Sequence, residues 1–191
     1  MANTKLQFFI LTGEPGVGKT TLTKKLSSML AEQGVKISGF YTEEVRKDRI
    51  RAGFDIVTFD GNRGLLARDT SLLNSSVKHK VGKYGVLVKE FESIALPTLK
   101  KSQLLIIDEI GKMEFFSDSF KMRIKELFCT ASNDVVLATI PIRNSDALIE
   151  NIRNHNKAKV WTVTRENRNI IHNSILNEIK NSLNLSSLLT R

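Results

Sequence analysis

The chain of 191 residues holds a single cysteine, three prolines and one tryptophan, and no apolar run long enough to span a bilayer. One cysteine, Cys129, excludes an internal disulfide. It falls in a helical pattern and is expected in the core. A membrane-spanning helix needs about 20 consecutive apolar residues, so membrane association is not expected. The apolar segment at the start, Phe8-Phe9-Ile10-Leu11, is too short for a secretory core and leads into no small-residue cleavage site. A reducing intracellular compartment, the cytoplasm, is the expectation. The three histidines, His79, His155 and His172, share no metal-ligand spacing and are expected at the surface. No repeat, low-complexity tract or Pro/Gly/Ser linker divides the chain, whose length suits one domain over 1–191, burying roughly 70% of its unfolded surface.

Charge is what the chain has in excess. A net +9 at 41% hydrophobic content fits a soluble globular protein with an anionic partner. The basic residues are spread along the chain, with loose groups only at Lys78, Lys80 and Lys83 and over Arg46 to Arg51. There is no dense basic arm and no aromatic-interleaved pattern of the kind that reads RNA. A polyphosphate substrate is therefore favoured over nucleic acid. No pattern sets the oligomeric state, and a monomer is the working expectation.

The substrate class is written in Gly13-Glu14-Pro15-Gly16-Val17-Gly18-Lys19-Thr20, the phosphate-loop pattern G-x-x-x-x-G-K-[ST]. It stands between an apolar strand and a helical pattern carrying Leu22, Leu26, Met29 and Leu30. In that setting successive backbone N–H groups, including those up to Thr21, curl around phosphates at the positive end of a helix dipole. Lys19 reaches the β- and γ-phosphates, and the Thr20 hydroxyl ligates Mg²⁺. Further along, Leu104 to Ile107 reads as a strand buried on both faces, and it ends in Asp108-Glu109. Asp108 suits the Mg²⁺ shell beside Thr20. Glu109 suits a general base that polarises water, with Glu114 as a competing base. Thr139, closing the next strand, is a candidate for contact with the γ-phosphate or the water, or for satisfying a backbone group. Arg165 and Arg168 follow the last strand. One of them steadies transition-state charge as an arginine finger in cis, or both form ion pairs at a helix start.

The pattern along the chain alternates. A helix is expected over about Lys19 to Glu32, then a strand over Val35 to Tyr41. Short strands follow near Thr42 to Val45 and Gly53 to Phe59. Residues 61–82 read as a loop, and Tyr84 to Val88 as strand. A helix over Glu90 to Lys101 is shortened by Pro97. Three further βα units complete the chain, with one helix starting near Ser145. This alternation implies an α/β fold of three layers: a mostly parallel central sheet, helices on both faces and a small antiparallel insertion at about 42–88.

The blocks Gly13–Leu22, Gly39–Arg46, Gly53–Thr58, Ile107–Glu114, Ala138–Pro141 and Thr164–Arg168 together resemble the cancer-related nucleoside-triphosphatase family, small P-loop enzymes also known from thermophilic microbes. The likeness runs from about residue 6 to 170. It implies Mg²⁺-dependent hydrolysis of several nucleoside triphosphates (ATP, GTP, CTP and UTP) to the diphosphate and phosphate, with low base selectivity. Two alternatives remain open at this point: a small-molecule kinase acting on a nucleotide or nucleoside, and a nucleotide-switched module that binds RNA or a protein. Glu109 favours hydrolysis, because a water-activating carboxylate is wasted where another substrate is the nucleophile.

Overall fold

The structure is a computed structural model, and it describes residues 5–129, 131–143 and 146–185. Nine strands form one mixed sheet in the order β5-β6-β4-β3-β2-β7-β8-β1-β9. Five of them run parallel: β1 (Phe8–Thr12), β2 (Ile37–Lys47), β7 (Leu104–Asp108), β8 (Val136–Thr139) and β9 (Ala158–Thr162). Parallel strands need crossovers, and helices supply them. The crossovers contain α1 (Lys19–Ala31), α2 (Val88–Ala95), α3 (Asp118–Leu127) and α4 (Ala147–Arg153), and α5 (His172–Ser182) follows the last strand. Because side chains alternate along a strand, each face of the sheet collects its own core. Phe9 and Leu11 meet Leu22, Leu26 and Leu30 of α1 and Ile175 and Ile179 of α5. Phe8 and Ile10 face the other way, in a core with Phe91 of α2, Phe120 and Ile124 of α3, and Ile149 and Ile152 of α4. The three-layer α/β expectation holds.

The antiparallel part continues the same sheet. β2 runs unbroken through the place where two strands were expected, because nothing between Tyr41 and Thr42 turns the chain. Beyond Asp108 it leaves β7 and pairs onward with β3 (Ile50–Thr58). The two are joined by Asp48 and Arg49, both with positive φ, the backbone of a tight two-residue hairpin. β4 (Arg63–Asp69) and β5 (His79–Val81) lie inside the segment read as a loop, their short length hiding the period-2 signal, and β6 (Tyr84–Val86) forms within the strand expected there. Asp55 ties this part together, accepting from Arg63 Nη1 at 2.8 Å and from Arg68.

Pro97 does end α2, in one 3₁₀ turn over Leu96–Thr98. The expected helix start near Ser145 lies outside the described residues. Two expectations are corrected. Cys129 is exposed, since α3 ends at Leu127 and Phe128 fills the last core position. The histidines are half-buried: the His155 ring packs on Phe8 at 4.8 Å and that of His79 on Phe116 at 4.6 Å. Trp161 is buried in the core. Among the described residues no helix is long and apolar enough to cross a membrane.

Candidate active site

β1 sits between β8 and β9, and the phosphate loop leaves its carboxyl end. The loop is pressed against the end of β9: the Val163 N–H donates to the Thr12 carbonyl at 2.7 Å. A Cβ on Gly13 would stand 2.5 Å from the Val163 carbonyl oxygen, so only glycine lets the chain turn there. Gly18 precedes the first turn of α1 in left-handed conformation, with no side-chain cap. Backbone N–H groups at that end are thus free to serve a ligand. Lys19 is nearly buried, and its Nζ donates to the carbonyls of Gly13 at 2.9 Å and Glu14 at 3.3 Å. The ammonium is held inside the curl of the loop. Glu14, Pro15, Gly16 and Thr21 are exposed, and Val17 is anchored in the core beneath.

The carboxyl ends of β7 and β8 bring the acidic residues to the same edge. Asp108 is 1% exposed, and its Oδ1 accepts from Thr139 Oγ1 at 2.5 Å. Its Oδ2 is buried with no hydrogen-bond partner. Burial pushes the Asp108 carboxyl above its ordinary value, against the pull of Thr139, Thr20, Lys19 and Lys24. Glu109 is half-buried. Burial raises its carboxyl too, Lys19 opposes the rise, and the charge of Asp108 adds to it. Glu114 is 4% exposed and pushed up to about 8, chiefly by burial and next by Glu109. It is therefore a neutral acid at pH 7, which makes it a poor general base.

Lys19, Thr20, Asp108, Glu109 and Thr139 thus come together where the sequence pattern expects them. Thr139 serves Asp108, rather than a backbone group. The arginines separate: Arg168 reaches back to the loop, its Nη1 donating to the Val17 carbonyl at 3.3 Å. Arg165 is exposed and makes no ion pair among the described residues, so the expected ion pairs at this helix start are not formed. Lys24 and Tyr41 were not foreseen. Tyr41 is in register with Asp108, and Lys24 Nζ lies 4.2 Å over its ring while pairing with Glu43 at 3.1 Å. The signal was present, since Lys24 follows Thr20 by four residues and shares its helix face.

Among the described residues no group of three or more His, Cys, Asp or Glu could hold a metal ion. The unpartnered Asp108 Oδ2, with Thr20 approaching the same carboxyl, fits a Mg²⁺ ion that takes most of its ligands from phosphate and water.

Comparison with known proteins agrees with this geometry. A family model described as NTPase matches residues 8–176. The chain is 43% identical over 184 residues to the cancer-related nucleoside-triphosphatase of Homo sapiens, covering 90% of this chain and 96% of that one. It is 45% identical over 175 residues to nucleoside-triphosphatase THEP1 of Thermotoga sp. (strain RQ2), covering 90% and 94%. The crystal structure of THEP1 from the hyperthermophile Aquifex aeolicus superposes with a TM-score of 0.80 at 39% identity, over 91% of this chain and 99% of that one. The solution structure of a human cancer-related nucleoside triphosphatase gives 0.78 at 42%, over 92% and 98%. With its phosphate loop, its buried Asp108 and a match along nearly its whole length, this chain belongs to the NTPase family.

Proposed function

We propose that this chain hydrolyses nucleoside triphosphates to the diphosphate and phosphate. The observation that carries the reading is Glu109, a half-buried carboxyl of raised basicity that feels the charges of both Lys19 and the buried Asp108. The loop N–H groups and Lys19 would bind the β- and γ-phosphates, and Arg168 would close the cradle from the β9 side. Asp108 and Thr20 would hold Mg²⁺, which, when bound, neutralises charge on the phosphate oxygens. Thr139 fixes the Asp108 carboxyl through its hydroxyl. In the chemical step a water oxygen bonds to the γ-phosphorus, and Glu109 takes the proton that the water loses. The bond from the γ-phosphorus to the bridging oxygen breaks, and the diphosphate leaves with that electron pair. A carboxylate whose basicity burial has raised is a stronger acceptor for that proton than an exposed glutamate.

No side chain at the loop supplies a donor–acceptor pattern that reads one base, which supports low base selectivity. The test is steady-state phosphate release from ATP, GTP, CTP and UTP in Mg²⁺, with and without nucleotide and nucleoside acceptors and with RNA. Release from all four without any acceptor is expected. Negligible release until an acceptor is added would replace hydrolysis with phosphotransfer. Release that depends on RNA would point to a switched binding module.

A further inference from the structure

Three carboxyls, those of Asp108, Glu109 and Glu114, crowd the end of β7, and none is in an ion pair among the described residues. The phosphate site gives work to the first two. Glu114 has none, although a buried carboxyl without a cation is costly and a leucine would pack there more cheaply.

Its placement is specific. The chain after Asp108 makes a tight turn, with the Phe115 N–H donating to the Gly111 carbonyl at 3.1 Å. This swings Glu114 back toward Gly111 while Phe115 and Phe116 pack against the core. Gly111 is the point where the two glutamates converge. A Cβ there would stand 3.1 Å from Glu114 Oε2 and 3.2 Å from Glu109 Oε1, so any side chain would wedge against both. Backbone N–H groups of Gly111 and of Glu114 itself point at the Glu114 carboxyl. The charged groups facing it are Glu109 and, behind that, Asp108. From α2, Glu92 is engaged by Ser117 Oγ at 2.6 Å.

We propose that Glu114 is a positioning residue: its carboxyl backs that of Glu109 across the notch at Gly111 and keeps it turned toward Lys19 and the phosphate loop. The inference rests on the reading of Glu109 as the base. A neutral carboxyl at 114 presents an O–H to the notch, whereas an ionised one would repel Glu109. The side chain required is therefore one with the shape of glutamate and a donor at its end, and glutamine meets that requirement.

The experiment uses the full chain and measures kcat and KM for ATP hydrolysis, the alkaline limb of the pH profile, and melting temperature. Glu114→Gln should keep kcat within about threefold of wild type, and Glu114→Ala should lose about tenfold or more with KM little changed. Wild-type kcat should fall above about pH 8, where Glu114 ionises, and Glu114→Gln should lack that fall. A Gln variant as slow as the Ala variant overturns the inference, as does an Ala variant at full rate. Should the Ala variant fail to fold, the Gln variant and its pH profile still decide, because a wild-type alkaline fall retained in Gln overturns the inference. Glu109→Gln separates this inference from its foundation. A Glu109→Gln enzyme at wild-type rate removes the base reading, whereas an inert one beside an unimpaired Glu114→Ala removes only the positioning role.

Discussion

Replacing Glu114 by glutamine should stabilise the protein, and by an amount that grows with pH. The wild-type carboxyl is held at about 8 in the folded chain against an ordinary 4.5, with burial as the main cause. Between these two values the unfolded chain has released its proton while the folded chain still holds it. The group therefore opposes folding increasingly as pH climbs through this range, and its effect levels off above the folded value. Each unit is worth about 1.4 kcal/mol. The deficit is about 3 kcal/mol at pH 7 and about 5 kcal/mol on the alkaline plateau, relative to a neutral side chain of the same shape. Glutamine keeps the shape and the acceptor for the Gly111 and residue-114 N–H groups, and loses about 1 kcal/mol of this if its amide is imperfectly paired. For a domain of this size each kcal/mol moves the melting temperature by roughly 2–4 °C, so the variant should melt several degrees higher at neutral pH. Urea unfolding of both proteins at a series of pH values measures the difference directly. Asp108 and Glu109 titrate in both chains, so their contributions cancel to first order. A stability difference that does not change with pH, or one that favours wild type in alkali, would refute the argument.

Other expectations follow from single contacts. Glu109→Gln should bind a fluorescent triphosphate as wild type does and lose about 10²-fold or more in turnover, while Lys19→Ala should lose the binding itself; equilibrium titration and single-turnover phosphate release distinguish the two. Thr139→Val removes the hydroxyl that donates to Asp108 Oδ1 and should destabilise by about 2 kcal/mol, with Thr139→Ser restoring most of it; an unchanged melting temperature in the Val variant would contradict the role given to Thr139. Gly39→Ala should be among the most damaging single changes, because its Cβ would lie 1.9 Å from the Ile106 carbonyl oxygen at a φ of +110°; a loss of roughly 4 kcal/mol or more is expected, and a normal melting curve would show that β2 and β7 can separate there.

What was legible in the sequence depends on how local each signal is. The phosphate loop and Asp108-Glu109 are contiguous strings whose roles follow from standing at the ends of buried apolar runs, and those runs are visible without a fold. Glu114 is different. In the string Gly111-Lys112-Met113-Glu114 it reads as a competing base, and only the turn that folds it under Gly111 makes it a buried acid, protonated where a base must be ionised. β4 and β5 were hidden because strands of three to seven residues among glycines and lysines carry too few alternations to register, whereas β6 lies within the strand expected over Tyr84 to Val88. Cys129 was misplaced because it lies two residues past the end of α3, and periodicity places a face but not the residue at which the helix stops. Arg165 and Arg168 share one pentapeptide, and no one-dimensional pattern says that the second, and not the first, turns back to Val17.

The position of β1 has a consequence for how the molecule breathes. Its five residues are between 0% and 3% exposed, and it is hydrogen-bonded on both sides and covered on both faces. Amide exchange should therefore be slowest there and fastest at the β5 edge, a three-residue strand that is at most half-buried. The phosphate cradle hangs from the part of the protein that opens last. Partial opening of the antiparallel wing would loosen Tyr41 and Glu43 while leaving the grip on the phosphates intact.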